Sequence, residues 1–152
     1  MYAGLAWASG GYLGNLPTTT PGTATFIDPK GHQEGRIYLH GLWEVTKEYA
    51  RHAGATQESE GFVAIRYTAR TVNVVVRPKG AESFKVVASL DGAPLPAAVW
   101  GEDINVDERG RTYFEVDTPR LYNVVKAPQV GSGELLLSTY SPDFLLYTFT
   151  FG

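Results

Sequence analysis

Apolar and polar residues alternate with a period of two through most of the chain after residue 36. Between residues 63 and 69, Val63, Ile65 and Tyr67 alternate with Arg66 and Thr68, and the same pattern recurs at residues 72–77 and 84–90. Successive side chains of a strand point to opposite faces, so each segment predicts a half-buried β-strand. Further strands are predicted at residues 36–45, 48–58, 97–100, 112–116, 121–126, 134–139 and 145–151.

Turn residues separate these segments. Asp91-Gly92 directly follows residues 84–90 and is the strongest β-hairpin turn sequence in the chain, while Pro78-Lys79-Gly80 ends the preceding strand. About nine or ten short strands at roughly ten-residue spacing, with no long helix, are typical of a β-sandwich. The pattern therefore predicts an all-β fold, and a two-sheet, jelly-roll-like sandwich is the most economical arrangement.

The beginning of the chain differs from the rest because glycine and proline interrupt it closely. Residues 1–35 are predicted to form an N-terminal arm that packs on a sandwich of residues 36–152, and the two together make one domain. The last predicted strand, residues 145–151, is apolar and aromatic almost to its end, which favours a central position.

Composition and charge exclude several classes of function. The 152 residues are 43% hydrophobic, enough for one domain with a sizeable core. The net charge of -3 and the lack of basic runs argue against a nucleic-acid partner, and no apolar stretch is long enough for membrane insertion by this segment. Cysteine is absent, so no disulfide, thiolate nucleophile or redox pair is possible within this sequence.

Hydrolytic and metal chemistry also lack their usual patterns. His32, His40 and His52 do not share a metal-ligand spacing, and no serine lies in a nucleophile-elbow sequence. The carboxylates of residues 102–108 are close neighbours in one loop, whereas a glycosidase pair flanks a cleft from different elements. The same loop resembles only the first half of a calcium loop. We predict no catalytic residue, no metal site and no cofactor.

Carbohydrate binding requires exposed aromatic rings with planar polar side chains beside them. Trp7, Trp43 and Trp100 are candidate rings, with a core-filling role as the alternative for each. Trp100 directly precedes the acidic loop. Arg70 and Asn73 flank the start of the strand predicted at residues 72–77 and could donate hydrogen bonds to a ligand. The predicted ligand-binding residues are Trp43, Arg70, Asn73, Trp100 and Asp103.

Six segments, in order along the chain, resemble one known family. They are YAGLA and GYLG at residues 2–14, GLWEV at 41–45, YTARTVNVV at 67–75, VASLDG at 87–92, RLYNVV at 120–125 and YTFTFG at 147–152. The family is the C-terminal domain that follows the thioredoxin-like (redoxin) domain in DipZ-type thiol-disulfide interchange proteins and related envelope proteins.

The resemblance implies a jelly-roll sandwich similar to galactose-binding and other carbohydrate-binding modules. It implies a thioredoxin-like domain in the same full-length chain and an extracytoplasmic location, in the periplasm or cell envelope. Any thiol-disulfide oxidoreductase activity would then reside in that partner domain, outside this sequence. The expected function is a non-catalytic accessory domain with carbohydrate or cell-wall glycan as a candidate ligand. The alternatives are a structural or protein-interaction module that positions the redox domain or its clients, and a stand-alone hydrolase.

Overall fold

The computed structural model describes residues 1–4, 12–16, 21–54 and 60–152. In these residues the secondary structure consists of β-strands and one 3-10 turn, so the all-β prediction is confirmed. Among the described residues, no helix is long and apolar enough to cross a membrane. The strands are β1 (Gly22–Phe26), β2 (Ile37–Val45), β3 (Ala50–His52), β4 (Gly61–Pro78), β5 (Phe84–Leu90), β6 (Ala93–Pro94), β7 (Asn105–Val106), β8 (Thr112–Val116), β9 (Arg120–Thr139) and β10 (Phe144–Phe151).

Two long antiparallel strands, β4 and β9, organise the fold. They pair from Gly61 opposite Thr139 to Val76 opposite Arg120. The register shifts twice: between Ala69 and Thr71, where residues 127–130 of β9 fall outside the pairing, and again between Val72 and Asn73. The sequence predicted two separate strands in each case. The structure shows one strand in each case, because a bulge breaks the alternation of side chains while the backbone stays extended.

The first of these shifts, at Arg70, divides the sheet into two halves. In the first half, residues 61–69 of β4 lie between β2 and β9, and β5, β8 and β7 follow outward from β9. In the second half, residues 72–78 of β4 lie between β9 and β10, and β3 pairs with the far side of β10. The last strand is therefore internal to the sheet, between β3 and β4.

Strand β2 joins the two halves of the sheet because its pairing partners change at Gly41. Residues 37–40 pair with β4, and from Gly41 onward the strand pairs with β1 on one side and, at residues 43–45, with β3 on the other. Since β3 also pairs with β10, the strands β2, β3, β10 and β4 close a circuit of backbone pairing.

The core is built from side chains of both halves. Trp43, Phe144 and Tyr122 are among the largest fully buried residues, and the Trp43 and Phe144 rings meet edge to face at 6.0 Å. Tyr122 packs against Phe114 with 5.4 Å between ring centroids. Burying one such side chain stabilises the fold by about 1.5–3 kcal/mol, so these rings dominate the packing energy.

Two predicted segments differ in the structure. Residues 97–100 were predicted as a strand but contain the 3-10 turn Ala97–Val99, because local bonds from Val99 N–H to Pro96 and from Trp100 N–H to Ala97 satisfy the backbone. Only Trp100 then makes a bridge, to Val125. The strand predicted at residues 48–58 is shorter, at Ala50–His52, and residues 55–59 lie outside the described part.

The described pieces of the predicted arm contact the sheet at several points. Ala3 N–H donates to Tyr147 O at 2.8 Å, and the Asn15 amide exchanges hydrogen bonds with the backbone of Leu39. Farther along, the His32 ring packs against the Tyr38 ring in a tilted arrangement, with 4.3 Å between centroids. The division into an arm and a sandwich at residue 35 stays a prediction.

Candidate functional site

The first half of the sheet has one face in the core and one face outside it. Alternation places Val86 of β5 and Phe114 of β8 in the core, and their neighbours on the opposite face. Strand register lines up a row of side chains across that outer face: Tyr113, Val87, Ser138, Phe62 and His40. The His40 ring stacks on Phe62 with 4.7 Å between centroids, which extends the row to β2.

A groove opens over the β8 and β5 end of this row. Its main cavity, about 870 Å³, is bounded by the loop between β7 and β8, and a second cavity of about 330 Å³ continues it along β9. We call the two together the outer-face groove. Its lining side chains are Glu60, Lys85, Val87, Val106, Asp107, Glu108, Arg109, Arg111, Tyr113, Ser138, Thr139 and Tyr140.

Two tyrosines give the groove its aromatic surface. Tyr140 is 46% exposed, and its hydroxyl donates to Glu60 Oε2 at 3.3 Å. The ammonium of Lys85 lies 4.7 Å from the centroid of the Tyr113 ring, a cation–π contact that covers one ring face. Tyr140 is therefore the more accessible ring for stacking on a ligand.

An ion pair holds planar polar groups beside these rings. Arg111 Nε donates to Asp107 Oδ2 at 2.8 Å, while Asp107 Oδ1 accepts from the backbone N–H groups of Arg109 and Arg111. Desolvation raises the pKa of Asp107, but these hydrogen bonds outweigh it, and the pKa lies below its usual value. The carboxylate thus stays charged and fixes the guanidinium, which keeps further N–H donors for a ligand.

The charges of the groove balance. Three cationic side chains and three carboxylates line it: Lys85, Arg109, Arg111, Glu60, Asp107 and Glu108. A groove without a dominant sign does not attract polyanions over a distance. It offers donors and acceptors in similar number, which suits a polyhydroxylated ligand.

The prediction that Trp43 forms a ligand platform is wrong. Trp43 is 0% exposed, its indole N–H donates to His40 O at 2.8 Å, and its ring packs against His52 and Phe144. A ring enclosed in this way has no face for a sugar. Trp100 is partly exposed and donates its indole N–H to Leu95 O. Trp7 lies outside the described residues.

Asp103 and Asn73 do come together, through Asn123. Asp103 Oδ2 accepts from Asn123 N–H at 2.7 Å, and the Asn123 side-chain amide donates to Asn73 Oδ1 at 2.7 Å. Asp103 Oδ1 also accepts from Arg120 at 2.8 Å. Desolvation raises the pKa of Asp103, but the bonds from Arg120 and Asn123 outweigh it and lower the pKa overall.

This network fastens the loop that follows Trp100 to β9. Asn123 also accepts from Glu102 N–H, and a side chain at Gly101 would meet the Asn123 carbonyl oxygen at 2.1 Å. The polar atoms therefore bind one another, which indicates a structural role. Arg70 lies at the interruption of β4, where its N–H donates to Gly152 O, and no described hydrogen bond joins its side chain to the network.

No groove residue was predicted to bind a ligand, and Asp107 and Glu108 were considered only as members of the acidic loop at residues 102–108. Alternation does place Lys85 and Tyr113 on the outer faces of their strands, which is the one usable indication. Their meeting depends on the pairing of β5 with β8, and Tyr140 arrives from the end of β9. Within the described residues no group of three or more histidine or acidic side chains is arranged to hold a metal ion.

The structure is thus an all-β domain with an open, charge-balanced groove on the outer face of its sheet. Residues 1–152 match the family described as Thioredoxin like C-terminal domain, so the chain belongs to that family. A comparison with curated proteins gave no match.

Proposed function

We propose that this chain is the non-catalytic accessory domain of a thioredoxin-like envelope protein of the DipZ type, and that it binds carbohydrate of the cell wall. Membership of the family suggests a companion N-terminal thioredoxin-like domain. In this proposal the companion domain carries the thiol-disulfide chemistry, because this sequence has no cysteine. The proposal also places the domain outside the cytoplasm and groups the fold with jelly-roll, galactose-binding-like modules.

The observation that carries the ligand class is the outer-face groove. Tyr140 presents an accessible ring, and the fixed Arg111–Asp107 pair lies on the same groove surface. Sugars offer apolar C–H faces that pack on aromatic rings and hydroxyls that pair with planar polar groups. The balanced charge of the groove supports an uncharged sugar over a polyanion.

A direct binding measurement tests this proposal. Calorimetric titration of the chain with cell-wall oligosaccharides is expected to give saturable heat, and Tyr140→Ala is expected to lower the affinity by about tenfold, equivalent to about 1.4 kcal/mol. Tyr12→Ala is the matched control, because Tyr12 is 39% exposed and does not line the groove. Equal losses in both variants, or no saturable heat with the parent chain, would reject carbohydrate binding at the groove.

An interaction module is the second candidate function, and one observation favours it. Among the described residues β1 pairs with β2 alone and so forms an edge of the sheet, and the adjoining Ile27 is 75% exposed. Exposed edge strands accept an added strand from a partner. Proline substitution at Thr23 should then abolish capture of the thioredoxin-like domain or its clients without changing glycan binding.

A further inference from the structure

The outer-face groove continues past Arg111 into a small recess. Its volume is about 190 Å³, and it shares Val87 and Arg111 with the groove cavity beside it. We call it the hairpin recess, because the β5–β6 hairpin forms most of its wall. Its lining residues are Val87, Ala88, Ser89, Gly92, Ala93, Pro94, Arg111 and Thr112.

The backbone holds the recess in shape. Asp91 and Gly92 adopt positive φ angles of 52° and 81°, which is the geometry of a tight two-residue hairpin. Thr112 closes the base, since its hydroxyl donates to Ala88 O at 2.6 Å and accepts from Leu95 N–H at 2.9 Å. A preformed recess binds without the cost of ordering its walls.

The recess is chemically different from the groove. Valine, alanine and proline supply aliphatic surface, and the one hydroxyl at its base is already engaged by backbone groups. Almost all of the recess surface is apolar, and the charged Arg111 is shared with the neighbouring groove cavity, where polar groups are plentiful. Such a site accepts a small apolar group attached to a polar linker that has both a donor and an acceptor.

An acetamido group meets this description. Its methyl carbon suits the aliphatic wall of the recess, while its carbonyl oxygen can accept from a guanidinium and its N–H can donate to a carboxylate of the adjoining groove. We propose that the ligand of the groove is a glycan of N-acetylated amino sugars, with an acetamido group in the hairpin recess and the sugar ring beside the groove tyrosines. This inference rests on the proposed carbohydrate function and narrows its ligand class.

Two neutral oligosaccharides test the inference because they differ at a single position of each sugar. Chitotetraose carries a 2-acetamido group where cellotetraose carries a hydroxyl, and both are β-1,4-linked. Calorimetric titration of the chain is expected to give at least about tenfold tighter binding of chitotetraose, the ratio typical of one apolar group in a fitted pocket.

A substitution within the recess locates the effect. Ala93→Leu should fill the recess, and Ala93 is exposed on a two-residue strand, so folding should persist. We expect it to remove the preference for chitotetraose while leaving cellotetraose affinity within about twofold. Ala81→Leu makes the same change at another exposed alanine outside the recess and should keep the preference.

Each outcome has one meaning. Equal affinity for the two oligosaccharides overturns the acetamido assignment and leaves the groove as a carbohydrate site. A preference that survives Ala93→Leu, with the melting temperature unchanged, also overturns the assignment of the recess. Failure of both oligosaccharides and of all other cell-wall glycans to bind rejects the proposed function itself.

Discussion

The Thr112 hydroxyl provides a sharp test of how the β5–β6 hairpin is held. Thr112 is 1% exposed, and its hydroxyl joins the Leu95 N–H to the Ala88 carbonyl. Thr112→Val keeps nearly the same volume but removes both hydrogen bonds. Two buried backbone groups then lose a partner, each at a cost of about 1–3 kcal/mol, so we expect about 3–4 kcal/mol of destabilisation.

Thr112→Ser is the matched control for this prediction. Serine keeps the hydroxyl and loses one buried methyl group, which costs about 1 kcal/mol. The valine variant should therefore melt roughly 6–16 °C below the parent chain, and the serine variant only about 2–4 °C below it.

Urea denaturation measures both variants. The midpoint should fall while the slope m stays constant, which assigns the change to stability and not to the extent of unfolding. If the valine variant is as stable as the serine variant, the two hydrogen bonds do not contribute as argued, and the account of the preformed recess loses its basis.

Three further predictions address the loop network and the last strand. Gly101→Ala should destabilise the domain by about 2 kcal/mol or more in urea denaturation, because the added carbon would meet the Asn123 carbonyl at 2.1 Å and backbone must shift. The lowered pKa of Asp103 stabilises the fold above its unfolded value of about 3.9, and this contribution is lost as pH falls through the folded value. Asp103→Asn should therefore reduce stability at pH 7 and weaken its decline in acid, and an unchanged pH profile would contradict the role of the Arg120 contact. Deletion from Leu145 onward removes an internal strand and should abolish cooperative unfolding, which circular dichroism would report.

The strands were predictable where alternation is regular. Residues 84–90 and 112–116 coincide with β5 and β8, because each has one face in the core and one outside it. The continuity of β4 was not predictable, since the register shifts between Ala69 and Thr71 and between Val72 and Asn73 interrupt the period of two. These register shifts arise from the way β4 pairs with β9. Because β9 is distant in sequence, the local pattern of β4 does not reveal them.

The site was less predictable than the fold. Trp43 was a reasonable platform by residue type, but its burial is decided by β3 and by Phe144 of β10, which only long-range pairing brings to it. Asn73 and Asp103 were each predicted to bind a ligand, but in the structure both form hydrogen bonds with Asn123 of the same chain. A single sequence cannot distinguish a satisfied polar cluster from one with atoms left for a ligand.

The two long strands have a consequence for how the protein opens. Because β4 and β9 belong to both halves of the sheet, neither half can separate without breaking the ladder of the other. Amide hydrogens beside β5 and beside β10 should consequently exchange with deuterium through one global event with the same opening free energy. The same distant pairings give the chain a high contact order, so we expect folding on the slow scale of milliseconds to seconds.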